Sequence, residues 1–106
     1  MDKQIYQVIS DYKRRLESLG VNIGKVILYG SHAAGKARED SDIDLVVVSD
    51  DFKNVDIWER LCLLGCACIG IKRPMEIMRF TEEELESDDN VTFIKDEIKS
   101  KGLEIK

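Results

Sequence analysis

Proline is almost missing from this chain: Pro74 stands alone among 106 residues. Histidine is just as scarce, with His32 the only one. That leaves no histidine cluster for a zinc site. Cysteine occurs three times, as Cys62, Cys66 and Cys68. An odd count argues against a secreted disulfide framework, and the CxxxC and CxC spacings lack the second pair a zinc site needs. The three read as small buried apolar residues. Long apolar runs are missing too. The longest, Leu61 to Ile71, holds two glycines and falls short of the roughly 20 residues a membrane span needs. The N-terminal MDKQIYQVIS lacks the apolar core of a signal peptide, so a cytoplasmic protein is expected. Nor is there an excess of positive charge. Sixteen basic residues face 21 acidic ones, a net charge of −5 and a pI near 4.9. Such a chain gains little from phosphate backbones, which disfavours stand-alone nucleic-acid binding.

What is present is a globular composition, 43% hydrophobic and 35% charged. No repeat, low-complexity tract or linker divides it, so residues 1–106 are expected to form a single domain. Ile5, Val8, Ile9, Tyr12, Leu16 and Leu19 recur at helical spacing and predict a helix over 2–19, with Gly20 as its C-cap. KVILY, 25–29, is a short strand ended by Gly30. GSHAAGKARED, 30–40, has room for one helical turn. DIDLVVV, 42–48, is apolar on both alternating faces and predicts a central strand. Residues 51–68 predict a long helix, with Asn54 as N-cap and Val55, Trp58, Leu61 and Cys62 on one stripe. That stripe, with Phe52, reads as core; the alternative is a partner surface. MEIMRF, 75–80, follows Pro74 as a third strand, and Thr81 with Glu84 makes a capping box for a short acidic helix. A last helix is expected over 91–101, stopped by Gly102, with LEIK as an edge strand. The order defines an α/β fold with a small sheet flanked by helices.

Two placements of acidic residues stand out. Asp40, Asp42 and Asp44 alternate, and the last two run straight into LVVV without a turn residue. In a strand, residues i and i+2 share a face, so Asp42 and Asp44 stand side by side at the mouth of a buried strand. Like charges repel there and desolvation is costly. Glu76 repeats the anomaly inside the apolar run Met75–Met78, where a core-facing carboxylate needs a partner. Lys72, Arg73 or Arg79 could supply it. If strands 42–48 and 75–80 are neighbours, the three carboxylates can instead converge on hard divalent cations. Two such ions clamp the attacking and leaving oxygens of a phosphoryl displacement.

Two rival motifs fail on their own terms. An EF-hand loop from Asp40 would need Gly at Leu45 and Glu at Asp51. KVILYGSHAAGKA approaches a P-loop, but Ala37 replaces the magnesium-binding hydroxyl and no long helix follows. What remains is Gly30-Ser31 at a strand end. Gly30 allows close backbone approach, and Ser31 offers a hydroxyl and an N–H at the start of a helical turn.

Gly30-Ser31, ten residues, then Asp42-Ile43-Asp44, with a later strand carboxylate at Glu76, resembles the DNA polymerase beta-like nucleotidyltransferase superfamily. Its minimal nucleotidyltransferase (MNT) branch is the nearest in size and spacing. The resemblance implies a mixed-sheet, palm-like fold that transfers AMP from ATP to a hydroxyl. It implies that Gly30 and Ser31 hold the triphosphate, and that Asp42, Asp44 and Glu76 bind two Mg²⁺, with Glu76 helping to deprotonate the acceptor. Minimal members are commonly paired with a small helical HEPN protein as toxin and antitoxin, which implies a HEPN partner as acceptor. Many MNT sequences carry arginine where His32 and Ala34 stand here, leaving Lys36 and Arg38 as the cations of this loop. A degenerate palm that neutralises its partner by contact alone is therefore the alternative.

Overall fold

A helix, α1 (Lys3–Ser18), opens the fold because its apolar residues recur every three or four positions and bury one stripe: Ile5, Ile9, Tyr12 and Leu16. In this computed structural model residues 3–38, 41–71, 73–86, 98 and 101–105 are described. Asp40, Lys72 and nearly all of the expected helix over 91–101 lie outside them. After α1 come β1 (Lys25–Tyr29), the four-residue helix α2 (Gly30–Ala33) and β2 (Ile43–Val48). A 3-10 turn (Asp50–Asn54), α3 (Ile57–Cys68), β3 (Met75–Phe80), α4 (Glu82–Glu86) and β4 (Leu103–Ile105) follow among the described residues.

The four strands form one sheet in the order β3-β2-β1-β4. β1 runs antiparallel to β2 and β4, while β2 and β3 run parallel, with α3 in the crossover between them. The sheet is thus mixed and β2 is central, as its two-sided apolar sequence requires. Odd residues of β2 face one layer: Ile43, Leu45 and Val47 pack with α1, Phe52 and with Leu64 and Ala67 of α3. Val46 and Val48 face the other side, with Ile27, Tyr29, Leu85 and Ile98. Among the described residues, no helix is long and apolar enough to cross a membrane.

The expected long helix over 51–68 is corrected in two ways. Its first part is the 3-10 turn, which drives Phe52 fully into the core, and the N-cap of α3 is Asp56 rather than Asn54. The Asp56 carboxylate accepts the Glu59 N–H at 2.9 Å. The stripe read as core points outward instead: Trp58 is 74% exposed and Leu61 42%. Cys62 and Cys66 are exposed as well, so only Cys68, half-buried, approaches the expected role. The predicted capping box is present. Glu84 accepts the Thr81 N–H at 2.8 Å, and the Thr81 hydroxyl accepts the Glu84 N–H at 3.1 Å.

Arg60, which carries no sequence signal, ties these parts together. Its guanidinium donates to the carbonyls of Phe52 and Val55, donates to Glu84 at 3.0 Å, and stacks 5.6 Å from the Phe52 ring centre. Arg60→Ala is expected to lower stability by about 2–3 kcal/mol, because carbonyls near a buried ring lose their donors. Chemical denaturation measures this. Burial raises the Glu84 pKa, but the Thr81 N–H and Arg60 outweigh it and hold the carboxyl below its ordinary 4.5. That contribution is present above pH 4.5 and is lost as the pH falls through the lowered value. Glu84→Gln should therefore flatten the acid limb of the stability profile below pH 4.5.

Candidate active site

The register of the sheet aligns three side chains in one row. Tyr29 of β1 pairs with Asp44 of β2, and Asp44 pairs with Glu76 of β3. The rows beside it, Ile27–Val46–Met78 and Lys25–Val48–Phe80, share that face of the sheet. The row lies on the opposite face of the sheet from α1 and α3, where the strand leaves Gly30 and enters from Asp42. Strand neighbours 42–48 and 75–80 are thus confirmed as adjacent, and Asp44 and Glu76 stand directly across from each other.

Glu76 is exposed, which corrects its reading as a core-facing residue. β3 is an edge strand, and Glu76 sits near its start; Met75 and Ile77 turn to the main core instead. Asp42 is exposed as well, and Asp44 half-buried between the two. Among the described residues no three or more Asp, Glu, His or Cys side chains close into a metal-binding group. Asp44 and Glu76 form the contact, and Asp42 borders it.

The electrostatics of Asp44 follow from this placement. Burial pushes its pKa up, a hydrogen bond with Glu76 and the charges of Glu76 and Asp42 push it further, and His32 offsets part of the rise. The result is about 6, from an ordinary 3.8. His32 is held by its ring Nε2, 3.3 Å from the Ser41 carbonyl. Tyr29 feels the same field from the other side: burial and then Asp44 and Glu76 raise its phenol to about 12. Neither residue was singled out for this role from sequence. The signal for Tyr29 was available, since it ends β1 with the face parity of Ile27.

Gly30 completes the arrangement. It has φ +74°, and a Cβ there would stand 2.3 Å from Asp44 Oδ2. The backbone therefore presses against the carboxylate in a way only glycine permits. Ser31 follows, half-buried, in α2, which packs on β1 and β2. The P-loop alternative meets no long helix: α2 stops at Ala33, and the chain turns through Gly35 toward β2. Lys36 and Arg38 are exposed in that turn. Leu45, which an EF-hand would need as a turn glycine, is fully buried in β2.

The oxygen donors here are the Asp44 and Glu76 carboxylates, with Asp42 bordering them and the Tyr29 phenol in the same row. That set is hard and suits Mg²⁺ rather than a thiophilic metal. The crowding of Asp44 against Glu76 is a charge problem that a divalent cation relieves, so the donor set fits such an ion.

The site is thus a strand–Gly-Ser–turn–strand unit with acidic residues aligned across a mixed sheet. The chain belongs to the nucleotidyltransferase domain family, whose model matches residues 9–105. A crystal structure from Sulfolobus solfataricus, of a protein provisionally assigned as a nucleotidyltransferase, shares the fold with a TM-score of 0.64. The match covers 83% of this chain and 78% of that one at 21% identity, a level that speaks for the fold alone. No curated protein is significantly similar to the chain.

Proposed function

We propose that this nucleotidyltransferase domain is a Mg²⁺-dependent adenylyltransferase acting on a hydroxyl of a partner protein. The observation that supports this most is the Asp44–Glu76 pair, with the Gly30 backbone against it and Asp42 beside it. Two Mg²⁺ ions held by Asp42, Asp44 and Glu76 would supply charge neutralisation at the phosphates and a more acidic acceptor hydroxyl. The protein's own part is positional. Gly30 and Ser31 would receive the triphosphate at the end of β1, with His32 beside Asp44. Glu76, exposed at the start of the edge strand, would take the acceptor proton. The acceptor oxygen bonds to the α-phosphorus as the bond to pyrophosphate breaks, and pyrophosphate leaves.

The acceptor is the HEPN-type helical partner implied by the resemblance to minimal nucleotidyltransferases, with this chain as antitoxin. The second reading is neutralisation by contact alone. Exposed Ala34, standing where many such sequences carry arginine, favours it. The test is ATP labelled at the α-phosphate, with Mg²⁺ and the candidate partner. Label on the partner, lost in Asp42→Ala and Asp44→Ala, is the expected result. Protection by those variants, with no label moved by the wild type, would establish the contact-only reading.

A further inference from the structure

The sheet-distal face of α3 is apolar along its whole length. Trp58, Leu61, Cys62, Gly65, Cys66 and Ile69 fall within an arc of about 140° at 3.6 residues per turn. Leu64 and Ala67 lie opposite and fill the core. Each of the six is exposed; Trp58 reaches 74% and Ile69 70%. Among the described residues nothing covers Gly65, where a Cβ would meet open space. So large an outward stripe on a small acidic protein is a site of association rather than incidental exposure.

We propose that this face pairs with a second copy of the same chain, as an antiparallel α3–α3′ contact about a two-fold axis between Cys62 and Gly65. The sequence of the stripe is self-complementary in that arrangement, with the large side chains at the two ends and the small ones at the centre. Trp58 meets Ile69 of the second copy, Leu61 meets Cys66, and Cys62 meets Gly65. Gly65 lets the backbones approach closely at the centre. A C2 contact needs this property, because one patch must fit itself.

Charge points the same way. Asp56 caps the N-terminus of α3 and Glu59 stands in its first turn. At its far end the Arg15 guanidinium donates to the Ile69 carbonyl, while Arg14 beside it is paired with Asp11, so Arg15 supplies the positive charge there. Antiparallel pairing brings the acidic end of one copy to the basic end of the other, and opposes the two helix dipoles. A parallel pairing would bring like ends together. A contact made by one helix face per copy falls at the low end of specific interface sizes. Association in the micromolar range is expected. Because α3 and the Asp44 row lie on opposite faces of the sheet, both copies would keep their sites open.

Trp58 is the only tryptophan, so its fluorescence reports on this face alone. Sedimentation equilibrium of the full chain in reductant should show a reversible dimer, with Trp58 emission moving to the blue as concentration rises. Ile69→Glu and Trp58→Glu should each weaken the dimer at least tenfold while leaving the far-ultraviolet circular dichroism unchanged. Glu59→Arg should weaken it too. Oxidation by copper phenanthroline should link two copies through Cys62 and Cys66, and Cys68→Ser should not prevent it. A chain that stays monomeric with red-shifted Trp58 emission overturns the proposal. So does a dimer indifferent to Ile69→Glu and Trp58→Glu. If the chain stays monomeric and Trp58 shifts to the blue only with a different helical protein, self-pairing is likewise refuted.

Discussion

Asp44→Asn is expected to raise the melting temperature of the metal-free protein and to abolish nucleotide transfer in the same molecule. The two effects share one cause. At neutral pH the wild type holds an ionised Asp44 half-buried against Glu76, and both burial and that neighbour raise its pKa to about 6. A raised carboxyl gives stability that is full below its unfolded value and lost as the pH climbs through 6. At pH 7 the ionised group is therefore a net cost. Solvent reaches part of the side chain, so screening reduces that cost to about 1–2 kcal/mol. An asparagine amide removes the charge and can donate to Glu76. The melting temperature in chelator at pH 7 should rise by about 5–10 °C, and the advantage should disappear near pH 4. Transfer should fall by about 10³-fold or more, since on the proposed function Asp44 would be a cation ligand where charge develops. Added Mg²⁺ should stabilise the wild type and leave the variant unmoved. Equal melting temperatures at pH 7 would show that Asp44 is not under strain from its neighbours.

Gly30→Ala carries the second large effect. The new methyl would lie 2.3 Å from Asp44 Oδ2, and the backbone at φ +74° disfavours any side chain. Either the loop shifts or Asp44 leaves its place in the row. Stability should fall by about 1–3 kcal/mol, and transfer by about 10²-fold or more, because displacement of a reacting group by an ångström is costly. Gly35 provides the control. It lies in the same loop with φ +71°, but nothing is within 4 Å of a Cβ there. Gly35→Ala should share the conformational cost and keep its activity. If both variants lose activity equally, loop strain rather than contact with Asp44 is the cause.

The elements that position this site were legible because their periodicity had one solution. KVILY and DIDLVVV are too short and too β-branched for helices, and the two-sided apolarity of the second made it central. The Thr81–Glu84 box was legible because capping depends on local spacing alone. Helix α3 was not. Its sequence is apolar on two sides, and periodicity cannot tell which side meets the sheet. Leu64 and Ala67 won that place, and Trp58 and Ile69 were left outside. The cysteines were misjudged for the same reason, since burial was inferred from residue type. Glu76 shows the converse. Its apolar neighbours suggested burial, but an edge strand leaves one flank to solvent, so the carboxylate needs no buried partner. The acidic row itself could be anticipated only conditionally, because strand adjacency and register decide whether Asp44 and Glu76 meet. Arg60 acts through tertiary contacts that no local pattern encodes.

The most direct measurement is calorimetric titration of a non-hydrolysable ATP analogue into the wild type and Asp44→Asn, each with and without Mg²⁺. Binding by the wild type that requires Mg²⁺, and its loss in Asp44→Asn, is the result expected if the acidic row is a cation-dependent nucleotide site. Equal affinity in all four titrations would contradict it.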